Sequence, residues 1–218
     1  MTTSFKVCCM QSADEGRLAI EHGASALGFV SAMPSGFGPI SEEKIAEIIA
    51  GVPADIATFL LTCATGAETI VQQQRRSGAN TLQLVDEVRP GTYAALRDAI
   101  PDVSLVQVIH VVDEKSLRDA VKIAPEVDAI LLDSGNPSLQ IKELGGTGRV
   151  HDWSISRRIR EAVGVPIFLA GGLRVENVGA AIESVRPYAV DVCTGLRTDG
   201  ALDPVKLERF VTAVRAAA

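Results

Sequence analysis

Phe168-Leu169-Ala170-Gly171-Gly172-Leu173 decides how the chain is read, together with its echo Asp191-Val192-Cys193-Thr194-Gly195. In each stretch a short apolar run stops at small residues, and a helical pattern follows. A strand that delivers glycines to a helix start leaves backbone N–H groups free beside the positive end of the helix dipole, which suits a phosphate group. Two such turns close together, late in a chain of alternating strands and helices, point to an α/β barrel. There the phosphate cradle commonly lies after strands 7 and 8.

The rest of the chain supports that count. Eight apolar runs occupy 5–9, 26–30, 56–62, 81–85, 105–111, 127–132, 165–170 and 189–193. Most are continuous rather than alternating, as in strands buried on both faces. Segments with helical spacing lie between and after them at 13–21, 42–49, 67–76, 92–99, 115–123, 154–162, 175–185 and 204–216. Ser41 is placed to cap the second, and Asp203 followed by Pro204 to open the last. Eight of each predicts one (β/α)8 TIM-barrel domain over 1–218, a closed parallel sheet of eight strands. An open flavodoxin-like sheet is the alternative, but it uses about five or six strands.

Composition agrees. Of 218 residues 47% are hydrophobic and only 4% aromatic, so the core must be Val, Ile, Leu and Ala. A net charge of −6 argues against a nucleic-acid partner. No apolar run approaches the roughly 18 residues of a membrane span, and nothing at the N-terminus reads as a secretion signal. Cys8, Cys9, Cys63 and Cys193 match no zinc spacing, and neighbours such as Cys8 and Cys9 make a poor disulfide. The expectation is a reduced cytoplasmic protein, a monomer or homodimer, with its cysteines packed as small apolar residues.

In this fold chemistry sits at the C-terminal ends of the strands. The first run delivers Cys8 and Cys9 there, and the fifth delivers His110. The sixth delivers Asp133 and then Gly145-Gly146-Thr147-Gly148, ahead of Asp152-Trp153. A thiol on one strand end and a carboxylate across the barrel can act as base and acid on opposite faces of a substrate. Cys8 alone reads more readily as core packing, Asp133 could equally cap its loop, and His110 reads best as a hydrogen-bonded structural residue.

Taken in order, Lys6-Val7-Cys8, Gly28-Phe29-Val30, Leu82-Gln83-Leu84, Leu131-Leu132-Asp133-Ser134, Gly145-Gly146-Thr147-Gly148 with Asp152-Trp153, Leu169-Ala170-Gly171-Gly172-Leu173, and Asp191-Val192 with Thr194-Gly195 resemble the phosphoribosylanthranilate isomerase family. The resemblance implies an Amadori rearrangement of a phosphorylated sugar amine in tryptophan biosynthesis, without cofactor or metal. It implies Cys8 as general base and Asp133 as general acid. Gly146, Gly148, Gly171, Gly172, Thr194 and Gly195 would form the phosphate-side loops, with Asp191 near the anthranilate or the sugar hydroxyls.

The strand 2 loop departs from the pattern. Gly38 stands where the family carries an arginine for the anthranilate carboxylate. Cys9 replaces a glycine, Val85-Asp86 replaces His-Gly, and Arg197 replaces a glutamate. Arg197 and Arg174 are the nearest candidates for a substitute clamp, against the plainer reading of arginines at helix starts. Two other functions stay open at this point: a related phosphosugar isomerase or epimerase on another substrate, and a non-catalytic phosphate-ligand-binding barrel.

Overall fold

In the computed structural model, which describes residues 3–34, 36–135, 144 and 148–217, eight strands close into a parallel barrel in sequence order. They are β1 (Ser4–Val7), β2 (Ala26–Val30), β3 (Ala57–Thr62), β4 (Thr81–Leu84), β5 (Ser104–His110), β6 (Ala129–Asp133), β7 (Ile167–Leu169) and β8 (Ala189–Val192). Around them run α1 (Ala13–Glu21), α2 (Glu42–Ile49), α3 (Ala67–Ser77), α4 (Thr92–Ala99), α5 (Lys115–Ile123), α6 (Trp153–Ala162), α7 (Val178–Val185) and α8 (Pro204–Ala216).

The aliphatic composition divides into two layers. Leu27, Phe29, Leu60, Leu82, Leu132 and Leu169 pack outward against helix residues such as Ile45, Ile70, Ile159 and Phe210. Their strand neighbours point inward, as period-2 geometry requires: Ala26, Phe59, Val106, Leu131, Phe168 and Ala189 fill the barrel. The seam is β1 against β8, with Lys6 opposite Asp191 and Val7 opposite Val192.

The caps read from sequence are in place. Ser41 Oγ accepts from Lys44 N at 3.2 Å, and Asp203 Oδ1 accepts from Val205 N and Lys206 N at 2.9 and 3.1 Å. Several ends differ from the sequence expectation. Cys8 and Cys9 lie beyond β1, because Cys9 takes φ +64° and cannot continue a strand. The seventh helix starts at Val178, not at 175. Arg174 N donates to Asn177 Oδ1 at 2.8 Å and Asn177 Nδ2 donates to Gly172 O at 3.0 Å, which holds the segment as a turn. A short antiparallel ribbon, β9 (Arg197–Thr198) with β10 (Ala201–Leu202), was not expected. Its Asp199-Gly200 turn has φ of +50° and +82°, the dipeptide and conformation that favour two-residue hairpins.

Arg197 fastens this ribbon to the rim. Its Nη1 and Nη2 donate to Glu15 Oε1 and Oε2 at 2.8 and 3.1 Å, and also to Gly200 O and Cys9 O. Its guanidinium lies 5.0 Å from the Phe37 ring centre. Glu15 also accepts from Leu202 N at 3.0 Å and Gln11 N at 3.1 Å. One buried bidentate pair therefore joins α1, the segment after β1, the ribbon and the strand 2 loop. Replacing Arg197 with alanine should cost about 3 kcal/mol, because the half-buried Glu15 carboxylate loses its cation. The urea midpoint would report the loss, and Arg197→Lys should recover little of it, since an ammonium lacks the planar fork.

Candidate active site

One cleft opens at the C-terminal end of the barrel. Cys8, Asp133, Gly148, Gly171, Gly172, Asp191 and Thr194 all line it. Gly195 sits just behind, where a side chain would collide with the carbonyl of Leu173, so it keeps the two phosphate-type loops in contact. Gly146 lies outside the described residues. Arg197 and Arg174 do not line the cleft: Arg197 is spent on Glu15, and Arg174 pairs with Glu176 on the surface at 3.5 Å. The structure thus gives neither arginine the position of a carboxylate clamp. His110 is held by Val85 O at 2.9 Å, in keeping with a structural role.

Gly171 and Gly172 take φ of +84° and +61°, a left-handed pair that only glycine adopts without strain. A Cβ on Gly171 would fall 2.9 Å from His151 Nδ1, and one on Gly172 would fall 2.6 Å from Arg149 O. Among the described residues no backbone carbonyl receives their amide hydrogens. Turns of this kind gather N–H groups into an anion-binding concavity.

Below the cleft lies a residue that the sequence reading passed over as chemistry. Lys6 is completely buried, and its Nζ donates to Asp191 Oδ1 at 2.9 Å. It also lies 5.1 Å from the Phe59 ring centre. Burial works against its charge, but Asp191 and Cys8 outweigh that and raise its pKa above the ordinary lysine value. Cys8 is in turn hydrogen-bonded to Lys6. Burial pushes the Cys8 thiol up to about 11, while Lys6 pulls it back and the Asp191 charge adds to the rise. A Cβ on Gly28 would fall 2.5 Å from Cys8 Sγ and 2.8 Å from Lys6 Nζ, so the empty position on β2 is what lets the two side chains meet. The signal was legible: a lysine inside the apolar run 5–9 is costly unless paired. Gln83, buried in the middle of Leu82-Gln83-Leu84, also lines the cleft.

The cysteine expectation needs correction. Cys9 and Cys193 form a disulfide with Cα atoms 6.0 Å apart, joining the segments that follow β1 and β8. Cys8 and Cys63 are not in disulfides. Sequence spacing could not reveal the pair, since 184 positions separate its members until the barrel closes. Cys9 also packs on the strand 2 loop: a Cβ on Gly38 would fall 2.8 Å from the Cys9 Cβ. The described residues contain no cluster of His, Cys, Asp and Glu able to hold a metal, and no helix long and apolar enough to cross a membrane.

The family model for N-(5′-phosphoribosyl)anthranilate (PRA) isomerase matches residues 5–213. The N-(5′-phosphoribosyl)anthranilate isomerase of Methanothrix thermoacetophila is 35% identical over 98% of both chains. The phosphoribosyl anthranilate isomerase of Thermococcus kodakaraensis superposes with a TM-score of 0.81 at 30% identity, covering 98% of this chain and 99% of that one. A phosphoribosyl anthranilate isomerase crystallised with reduced 1-(o-carboxyphenylamino)-1-deoxyribulose 5-phosphate gives a TM-score of 0.80 at 25% identity, with 98% and 99% covered.

Thiol counting tests the disulfide directly. The unfolded, unreduced protein should present two reactive thiols, Cys8 and Cys63, and four after reduction. Four before reduction would show that Cys9 and Cys193 are not joined.

Proposed function

The chain belongs to the N-(5′-phosphoribosyl)anthranilate isomerase family, and we propose that it isomerises N-(5′-phosphoribosyl)anthranilate with Cys8 as base, Asp133 as acid and the turns at Gly171-Gly172 and Gly195 holding the phosphate. The reaction is an Amadori rearrangement in tryptophan biosynthesis. The other phosphosugar reaction and the silent barrel give way to the family match. The observation that carries the residue assignment is the convergence of Cys8, Asp133, Asp191 and the left-handed glycine pair on one cleft.

Each step balances within the substrate. Asp133 gives a proton to the ring oxygen, the C1–O bond breaks, and the nitrogen lone pair makes a C1–N iminium. The Cys8 thiolate removes the C2 proton, and the released electrons form a C1–C2 double bond while the nitrogen recovers its pair. The resulting enol becomes a C2 ketone as the Cys8 thiol gives its proton to C1 and the enol hydroxyl gives up its own, by way of solvent, to Asp133, which restores thiolate and acid. No electrons enter or leave, so the chemistry asks for no redox cofactor. Lys6 stabilises the thiolate against its burial, and Asp191 keeps Lys6 charged and oriented. A base so placed contributes about 10²- to 10⁴-fold to rate. A doubly charged phosphate ester does not cross a membrane unaided, which supports a cytoplasmic site of action.

Cys8→Ala and Asp133→Asn should each lower kcat by about 10²- to 10⁴-fold with the circular dichroism spectrum unchanged. The fluorescence decay of phosphoribosylanthranilate made in situ measures it, and a variant with wild-type decay would remove that residue from the mechanism. The thiol offers a second test. Only the thiolate reacts with iodoacetamide, so in a Cys63→Ser background Cys8 alkylation should climb with pH toward a midpoint of about 11. Lys6→Met removes the cation that favours the charged form, so its midpoint should lie higher. An ordinary thiol midpoint in both proteins would contradict the pairing.

A further inference from the structure

Gln83 is 4% exposed, and among the described residues its Oε1 is buried without a hydrogen-bond donor. It lines the cleft shared by Cys8 and Asp133. Its partners in register are Leu61 on β3 and Val106 on β5, whose side chains offer no donor. Lys6, the buried donor nearest the thiol, is taken by Asp191 and Cys8. A buried carbonyl oxygen left in this way is costly, and native proteins rarely keep one without a use.

The order of strands indicates which donor would fill it. The phosphate turns follow β7 and β8, whereas β4 stands four places from β8 on the opposite side of the closed sheet. Leu61, Gln83 and Val85 line the side of the cleft across from those turns, so a substrate held by its phosphate there, with C2 toward Cys8, would direct C1 and its nitrogen to that wall. That nitrogen carries one hydrogen in the substrate, in the iminium and in the product.

We propose that Gln83 Oε1 accepts the hydrogen bond from the anilino N–H, making Gln83 the residue that recognises the amine and favours the iminium. The assignment rests on the isomerase reading above. The N–H is most acidic when the nitrogen is cationic, and a hydrogen bond to a charged group is worth about twice a neutral one. The contact therefore strengthens as the ring opens, and its loss falls on kcat more than on KM.

The test compares two ligands that differ in one group: the product, 1-(2-carboxyphenylamino)-1-deoxyribulose 5-phosphate, and its phenoxy analogue, with oxygen in place of N–H. The wild type should bind the amine about tenfold more tightly. Gln83→Met, similar in size but without an acceptor oxygen, should bind the two equally, and its kcat should fall about 10- to 100-fold. Gln83→Glu restores an acceptor and should regain the preference for the amine. Equal binding by the wild type, or an undiminished preference in Gln83→Met, overturns the assignment while leaving Cys8 and Asp133 untouched. Failure of the wild type to bind either compound, or Cys8-independent decay of phosphoribosylanthranilate, overturns the reading of the reaction instead, and the Gln83 assignment with it.

Discussion

The buried ion pair between Lys6 and Asp191 is the constraint from which the active end of this barrel follows. The two residues face each other in register across the β1–β8 seam, with Nζ 2.9 Å from Oδ1. Neither charge would be tolerated alone in such a place, and removing either partner would strand the other. The pair therefore fixes the last strand against the first at the floor of the cleft, which Asp191 lines. It also dictates its surroundings. Cys8 shares the inward face with Lys6 two positions earlier, Phe59 presents its ring to the ammonium, and Gly28 leaves the volume both side chains need. The same residues that close the sheet thus supply the electrostatics of the proposed base.

The fold was legible because every strand is buried on both faces, and continuous apolar runs mark such strands plainly. What periodicity could not mark was where each strand stops. Cys9, Gly171 and Gly172 turn left-handed, and a turn of this kind shortens a run without changing its hydrophobicity. The β9–β10 ribbon has two residues a side, too few for any period, although Asp199-Gly200 announced its turn. Thiol, carboxylate and glycine turns were legible as candidates because their residue types are restrictive, and the fold brings them to one cleft. Lys6 could have been read from its cost in an apolar run. Gln83 could not, since its orphaned oxygen exists only once Leu61 and Val106 stand on either side of it.

Arg197 illustrates the limit of reasoning by position along the chain. It follows a phosphate-type turn and carries the right charge for a carboxylate, yet its fork is already filled by Glu15 and two carbonyl oxygens. Glu15 is drawn to that place from α1, and its pKa stays below the ordinary glutamate value although burial opposes this, because Arg197 and two backbone N–H groups hold the charged form. The arginine stiffens the rim beside the cleft rather than lining it.

The contact between Gly38 and Cys9 ties two departures from the family pattern into one. A side chain on Gly38 has no room while Cys9 keeps its Cβ 2.8 Å from that point, and Cys9 is itself held by Cys193. Gly38 also holds φ +93°, so Gly38→Arg is strained even after Cys9→Gly removes the collision, and a side chain at this position asks for a different course of the loop backbone as well. The barrel rim and the strand 2 loop thus share one small volume, and a larger side chain enters it only if Cys9 and the loop backbone both give way.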